Sequence, residues 1–259
     1  MWRFGHHREA TGVRFGTVTP DEHVGALERE GRAFGAALVD LTAPVTACPG
    51  WTVADLAFHV GRIHRFWATV VSERLTDVGK DTLAHPARPD DEDLAAWYRD
   101  GLHELLPALR DTPPDTPLWT WAPQHDAAFV RRRMAQETAV HRWDAERADG
   151  GVAAPIEADL AVDGIDELFD LFFGRRPDGA PAPPGSLHLH ATDAAGEWVV
   201  RSDGSELTVA REHAKGDAAV RGPASDLLLA LWRRLDLDTL DVVGDRATAE
   251  AIIGYSDLD

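Results

Sequence analysis

A glutamate and a histidine four residues apart, Glu137 and His141, lie in the segment RRRMAQETAVHRWD that runs from Arg131 to Asp144. If this segment is a helix, both side chains leave the same face one turn apart. A carboxylate and an imidazole are both zinc ligands, and a catalytic zinc takes three protein ligands and keeps one position open. The pair therefore predicts half of a metal site, and a salt bridge from Glu137 to one of the many arginines is the alternative.

Four other histidines are candidates for a third ligand. His59 lies on a predicted helix beside its apolar stripe, where a histidine is more often a boundary residue than a ligand. His64 is rotated well away from His59 and is expected on the solvent face. His188 and His190 share one face of a predicted strand. Because no third ligand stands at a recognisable spacing from this pair, His188 and His190 are expected to lie on an exposed face of the sheet.

The composition limits the class of protein. A chain of 259 residues favours two domains, and the single cysteine, Cys48, rules out an intramolecular disulfide and predicts a cytoplasmic location. No apolar run reaches the roughly 18 residues of a membrane span. The formal charge of -18 argues against nucleic acid, because a phosphate backbone would be repelled. The basic cluster Arg131 to Arg133 is expected to be a solvated helix face.

The first two thirds of the chain predict helices. Thr19-Pro20-Asp21-Glu22 has the pattern of a capping box, and apolar residues then recur at helical spacing. Thr52 is a second predicted N-cap. Five helices are expected, over about Pro20 to Leu41, Thr52 to Leu75, Asp90 to Leu109, Ala127 to Ala148 and Ile156 to Phe173.

The last third of the chain has a different pattern. A proline- and glycine-rich stretch, GRRPDGAPAPPG, is typical of a linker. Alternating residues then predict strands of a largely antiparallel sheet, followed by a helix from Ala224 to Leu235, a short strand and a last helix. The division expected is a flexible N-terminal extension (residues 1–18), a helical domain (19–175), a linker (176–185) and a small α/β domain (186–259).

Three motifs together resemble the mycothiol-dependent maleylpyruvate isomerase family. They are CPGWTVADLAFHV at Cys48 to Val60, QETAVHRWD at Gln136 to Asp144, and VRGPASDLLLALWRR at Val220 to Arg234 followed by VVGD. The resemblance implies an α+β fold. In it, a DinB-like up-and-down four-helix bundle precedes a small α/β domain similar to sterol carrier folds.

The resemblance also implies a site. His59, Glu137 and His141 match the family's ligands to a divalent metal, usually zinc, whose open position takes the thiol of mycothiol. Arg234 is the match to an arginine that helps to bind an anionic substrate, although the adjacent Arg233 leaves the register open. Cys48 is expected to be a packing residue. The N-terminal tail, with its pair His6-His7, departs from the family's pattern.

These observations predict a metal-dependent enzyme that uses mycothiol on a small electrophilic substrate, in an isomerisation or a conjugation. A monomer is expected. One alternative is a non-catalytic metal-binding or regulatory module, against which the intact ligand set argues. Another is a zinc hydrolase, in which metal-bound water is the nucleophile and Asp144 is the candidate general base.

Overall fold

The computed structural model describes residues 18–79, 86–174, 181–256 and 258. The pair His6-His7 and part of the expected linker lie outside these residues. The described chain comprises seven α-helices and a five-stranded sheet, with a helical N-terminal part and a C-terminal part built on the sheet. None of the described helices is long and apolar enough to cross a membrane.

The N-terminal part is a four-helix bundle in which α1 packs on α4 and α2 packs on α3. Both predicted N-caps are present, since the side chains of Thr19 and Thr52 each accept a bond from a backbone N–H three residues on. The four helices are α1 (Pro20–Ala37), α2 (Val53–Ser72), α3 (Asp91–Asp111) and α4 (Ala127–Glu146).

Two expectations about polar side chains are wrong, one on α4 and one on α2, because both helices are buried more widely than predicted. Arg131 and Arg133 are only 2% and 4% exposed and are not a solvated face. Arg131 pairs with Asp21 at 2.6 Å and donates to the carbonyls of Leu109 and Thr112, which offsets the cost of burying its charge. His64 is fully buried rather than facing solvent, because α2 packs against both α3 and α4, and its Nε2 lies 2.9 Å from Oγ1 of Thr138.

The C-terminal part is a mixed sheet in the order β3-β2-β1-β4-β5. Only the β1–β4 pair is parallel, so the sheet is largely antiparallel, as predicted. The helices α6 and α7 cover its apolar face. The elements are β1 (Gly185–Ala191), β2 (Glu197–Ser202), β3 (Leu207–Ala210), β4 (Ala218–Gly222), α6 (Ala224–Leu231), β5 (Asp241–Gly244) and α7 (Arg246–Ile253).

Helix α5 (Ala158–Leu171) joins the two parts, because it contacts α4 on one side and α6 on the other. Gln136 of α4 donates to the carbonyl of Leu160, and Trp198 of β2 donates to Asp166 at 2.8 Å. The sheet is thereby fixed against the bundle through α5.

Helix α6 ends at Leu231, four residues earlier than predicted. Arg233 takes a left-handed backbone conformation, with φ 59°, and the N–H of Arg234 bonds back to the carbonyl of Leu229 at 2.7 Å. This is the usual pattern of bonds at a helix C-terminus, although glycine more often supplies the left-handed residue. The turn directs Arg234 back towards the bundle.

Candidate metal centre

The structure brings the three predicted metal ligands together. His59 lies on α2, and Glu137 and His141 lie one turn apart on α4. Oε1 of Glu137 is 3.1 Å from Nε2 of His59 and 3.3 Å from Nε2 of His141. One ligand atom from each residue lies within 4.8 Å of the other two. The side chains are 24%, 21% and 11% exposed, so a small molecule can reach the rim of this group.

A buried arginine fixes the other oxygen of Glu137. Arg133, one turn earlier on α4, donates to Oε2 of Glu137 at 2.9 Å and also contacts Glu167 of α5. Glu167 is 1% exposed, and burial raises the pKa of its carboxyl. The salt bridge considered as the alternative to metal binding is therefore present. It engages Oε2 and leaves Oε1 facing the two histidines.

A buried aspartate orients His141. Oδ2 of Asp144 accepts a bond from Nδ1 of His141 at 2.9 Å, and a carboxylate oxygen can only accept, so Nδ1 carries the proton. Nε2 is thus directed at Glu137 and His59. A carboxylate behind a histidine is the arrangement that sets the tautomer and ring orientation of metal-binding histidines.

The charges of this group fit a cation. Burial opposes a charge on His141, but its bonds to Asp144 and Glu137 outweigh burial and raise its pKa to about 9. Burial likewise opposes the charge on Glu137, yet bonds from both histidines and the charge of Arg133 hold its pKa well below the usual range. A site that favours a proton on Nε2 of His141 also favours a divalent metal there. The donor set is of the type that zinc accepts.

Arg234 reaches the same site from the C-terminal part. Its guanidinium donates to both oxygens of Asp144, at 3.2 and 3.3 Å, and to the carbonyl of Trp232. Arg233 instead bonds to the carbonyls of Gly254 and Ser256, away from the site. Of the two candidate arginines, Arg234 is the one that lies beside the predicted ligands.

Asp144 is poorly placed as the general base of a hydrolase. Its side chain is completely buried, and both oxygens already accept bonds from His141 and Arg234. Burial raises its pKa, but these two partners outweigh burial and keep the pKa below the usual value. Asp144 is held as a charged hydrogen-bond partner of His141.

Cys48 lies at the edge of the site without the features of a nucleophile. Its Sγ is 4.0 Å from Oδ2 of Asp144. Burial and the charge of Asp144 raise the pKa of this thiol to about 11, whereas reactive cysteines have lowered pKa values. Cys48 therefore lies in the site as a neutral thiol.

Sequence reasoning missed Arg133 and Glu167. The spacing of Arg133 and Glu137, four residues apart, was a usable signal for their ion pair. No local signal points to Glu167, because it lies on α5 and its contact with Arg133 depends on tertiary packing. His188 is also placed wrongly by the sequence: it is 8% exposed, not part of an exposed sheet face.

Comparison with known proteins agrees with this architecture. The family model described as the mycothiol maleylpyruvate isomerase N-terminal domain matches residues 24–146, and the MDMPI C-terminal domain model matches residues 159–251. No curated protein matches the chain significantly in sequence.

Two solved structures have a similar fold. The first is the crystal structure of the mycothiol-dependent maleylpyruvate isomerase, whose sequence is 15% identical to this chain. The two structures align with a TM-score of 0.58 over 86% of this chain and 92% of that one. A histidine-to-alanine mutant of that enzyme is 14% identical with a TM-score of 0.57, over the same shares of the two chains. With both family models matched in order along most of its length, the chain belongs to the mycothiol-dependent maleylpyruvate isomerase family.

Proposed function

We propose that this protein is a metal-dependent enzyme in which the sulfur of mycothiol adds to a small electrophile, in an isomerisation or a thiol transfer. The observation that carries the proposal is the convergence of His59, Glu137 and His141 on one point. The atoms that face away from this point are already bonded: Oε2 of Glu137 to Arg133, and Nδ1 of His141 to Asp144. Zinc is the metal that best suits this donor set.

A divalent ion held there would favour deprotonation of a thiol in its open position, and the thiolate is the nucleophilic form. The chain's own residues prepare the site for it. Asp144 keeps a proton of His141 on Nδ1, so that Nε2 is the nitrogen presented to the metal. Arg133 holds Glu137 through Oε2, so that the carboxylate does not have to be ordered on binding.

Arg234 is the proposed contact for an anionic substrate. A guanidinium has five N–H donors, and three of its nitrogens each donate one of them to Asp144 or Trp232. These bonds leave two N–H groups, and the side chain is 14% exposed, so we expect an anion to be able to reach them. Because Asp144 fixes the guanidinium, an anion would meet an arginine whose orientation is already set.

The test combines metal content with thiol dependence. Purified protein should lose about one divalent ion per chain when His141 is replaced by alanine, and turnover of a panel of electrophiles, including maleylpyruvate, should require mycothiol. His103→Ala, which removes an exposed histidine of α3, is the matched control and should change neither.

Three results would contradict the proposal. Unchanged metal content in His141→Ala would show that His59, Glu137 and His141 do not form a metal site. Full turnover without any thiol would favour a hydrolase, and bound metal with no thiol binding would favour a non-catalytic module.

A further inference from the structure

Three histidines and a glutamate meet on the C-terminal sheet, far along the chain from the site described above. His188 and His190 lie on β1, and Glu197 lies directly opposite His190 on β2. These side chains occupy the face opposite to the apolar one formed by Leu187 and Leu189, since side chains alternate along a strand. The fourth member, His213, follows β3.

The connection from β3 to β4 explains why this face is covered. In the strand order β3-β2-β1-β4, residues 211–217 must cross β2 and β1 to reach β4. The rings of His213 and His188 are 5.3 Å apart, and Glu212 pairs with Arg201 of β2 at 2.5 Å. The crossover therefore lies over His188 and buries it.

Glu197 is the centre of the cluster. Its Oε1 is 2.6 Å from Nδ1 of His190, and its Oε2 is 2.7 Å from Nδ1 of His213 and 3.6 Å from Nε2 of His188. One ligand atom each from His188, His190 and Glu197 lies within 4.8 Å of the other two. Two imidazoles and a carboxylate are a donor set that zinc accepts.

His188 supplies an independent indication of a ligand. Its Nε2 is buried and has no hydrogen-bond partner, and the residue is 8% exposed. Buried polar atoms are nearly always bonded, so an orphaned ring nitrogen that faces a carboxylate and a second imidazole points to a missing partner. The nearest acceptor, Oε2 of Glu197 at 3.6 Å, lies beyond hydrogen-bond distance, so the ion pairs around Glu197 leave this nitrogen without a hydrogen bond.

We propose that His188, His190 and Glu197 bind a second divalent transition metal, with Zn²⁺ as the best match. His213 bonds to Glu197 from outside, as partners of metal-binding carboxylates do. A cavity of about 450 Å³, lined by His190, Glu197 and His213, adjoins two of the three ligands and gives access to a further coordination position. The ion would join β1 to β2, and the bond from His213 to Glu197 would connect it to the crossover of residues 211–217.

Zinc counting on the full-length protein tests the proposal. The background is an untagged His6→Ala/His7→Ala variant, which removes the histidine pair of the N-terminal tail. The protein is stripped with a chelator, loaded with Zn²⁺ and freed of excess metal by gel filtration. We expect about two Zn²⁺ per chain in this background and about one after Glu197→Gln or His190→Ala.

Two further variants separate the two sites. His59→Ala/His141→Ala should also retain about one Zn²⁺, which is lost when Glu197→Gln is added. Glu197 and His190 are 25% and 29% exposed at their side chains, so these changes leave the core intact, and circular dichroism checks the fold. His103→Ala controls for the loss of an exposed imidazole.

The outcomes are distinguishable. A background protein that binds one ion and loses it in His59→Ala/His141→Ala would overturn the second site, as would an unchanged zinc count in Glu197→Gln. A single ion that is lost only in Glu197→Gln or His190→Ala would support the second site and refute the first.

Discussion

Asp144→Asn is the substitution that best tests how the proposed metal centre is held. The aspartate side chain is completely buried, and its Oδ2 accepts the proton on Nδ1 of His141 at 2.9 Å. Asparagine has nearly the same shape but no charge, and its amide group can present an N–H to His141. The substitution therefore attacks the tautomer and orientation of His141 while leaving the packing in place.

The expected magnitude follows from the bonds that are lost. A hydrogen bond to a charged group contributes about 1.5–3 kcal/mol, which corresponds to a roughly 10- to 150-fold change in an equilibrium constant. The bonds from Arg234 to Asp144 are 3.2–3.3 Å long, beyond the usual length of charge-assisted bonds, so they contribute less. We expect Asp144→Asn to weaken metal binding about 10- to 150-fold, and Arg234→Met to weaken it less than about tenfold.

Competition with a chromophoric chelator at fixed pH measures these affinities. Asp149→Asn, which changes an exposed carboxylate near the end of α4, is the control and should bind metal like the wild type. Folded fractions are compared in the metal-free state, since loss of a buried ion-pair partner also lowers the free energy of unfolding. An Asp144→Asn protein that is folded and binds metal with wild-type affinity would refute the assigned role of Asp144.

Two other predictions concern groups outside the ligand set. Burial raises the pKa of Asp163, but bonds from His23 and Arg132 outweigh burial and place the pKa below the usual value. The charged carboxylate therefore stabilises the folded protein at neutral pH, and this contribution is lost as the pH falls below about 4. Denaturation with chelator present should show Asp163→Asn less stable than wild type at pH 7, by a margin that shrinks towards pH 3; a constant margin would contradict this. Cys48→Ser should keep metal and turnover, and Cys48 should react more slowly with iodoacetamide at pH 8 than free cysteine; rapid labelling would show an activated thiol.

The helices were predictable because their apolar spacing and N-caps are local properties of the sequence. Thr19 and Thr52 cap α1 and α2 as their positions indicate. The placement of His64 was wrong because a helix that packs against two neighbours buries a face wider than one stripe. His64, five residues after His59, therefore lies on a second buried face of α2, where it contacts Thr138 of α4, and does not face solvent.

The supporting residues of the site were less predictable than the three predicted ligands. Glu137 and His141 are neighbours on one helix, and their spacing is visible in the sequence. Arg133 and Glu167 meet only after α5 has packed on α4, and the cluster of His188, Glu197 and His213 forms only when the β3–β4 connection crosses the sheet. These contacts depend on topology, which no local pattern carries.

The end of α6 shows how the C-terminal part contributes to the predicted metal centre. The left-handed conformation of Arg233 ends the helix and turns Arg234 towards Asp144, which in turn bonds to His141. A chain of contacts therefore runs from the sheet domain to a predicted metal ligand. An anionic substrate bound to Arg234, as proposed, would compete with Asp144 for the guanidinium. We therefore expect substrate binding and metal binding to be coupled through this one carboxylate.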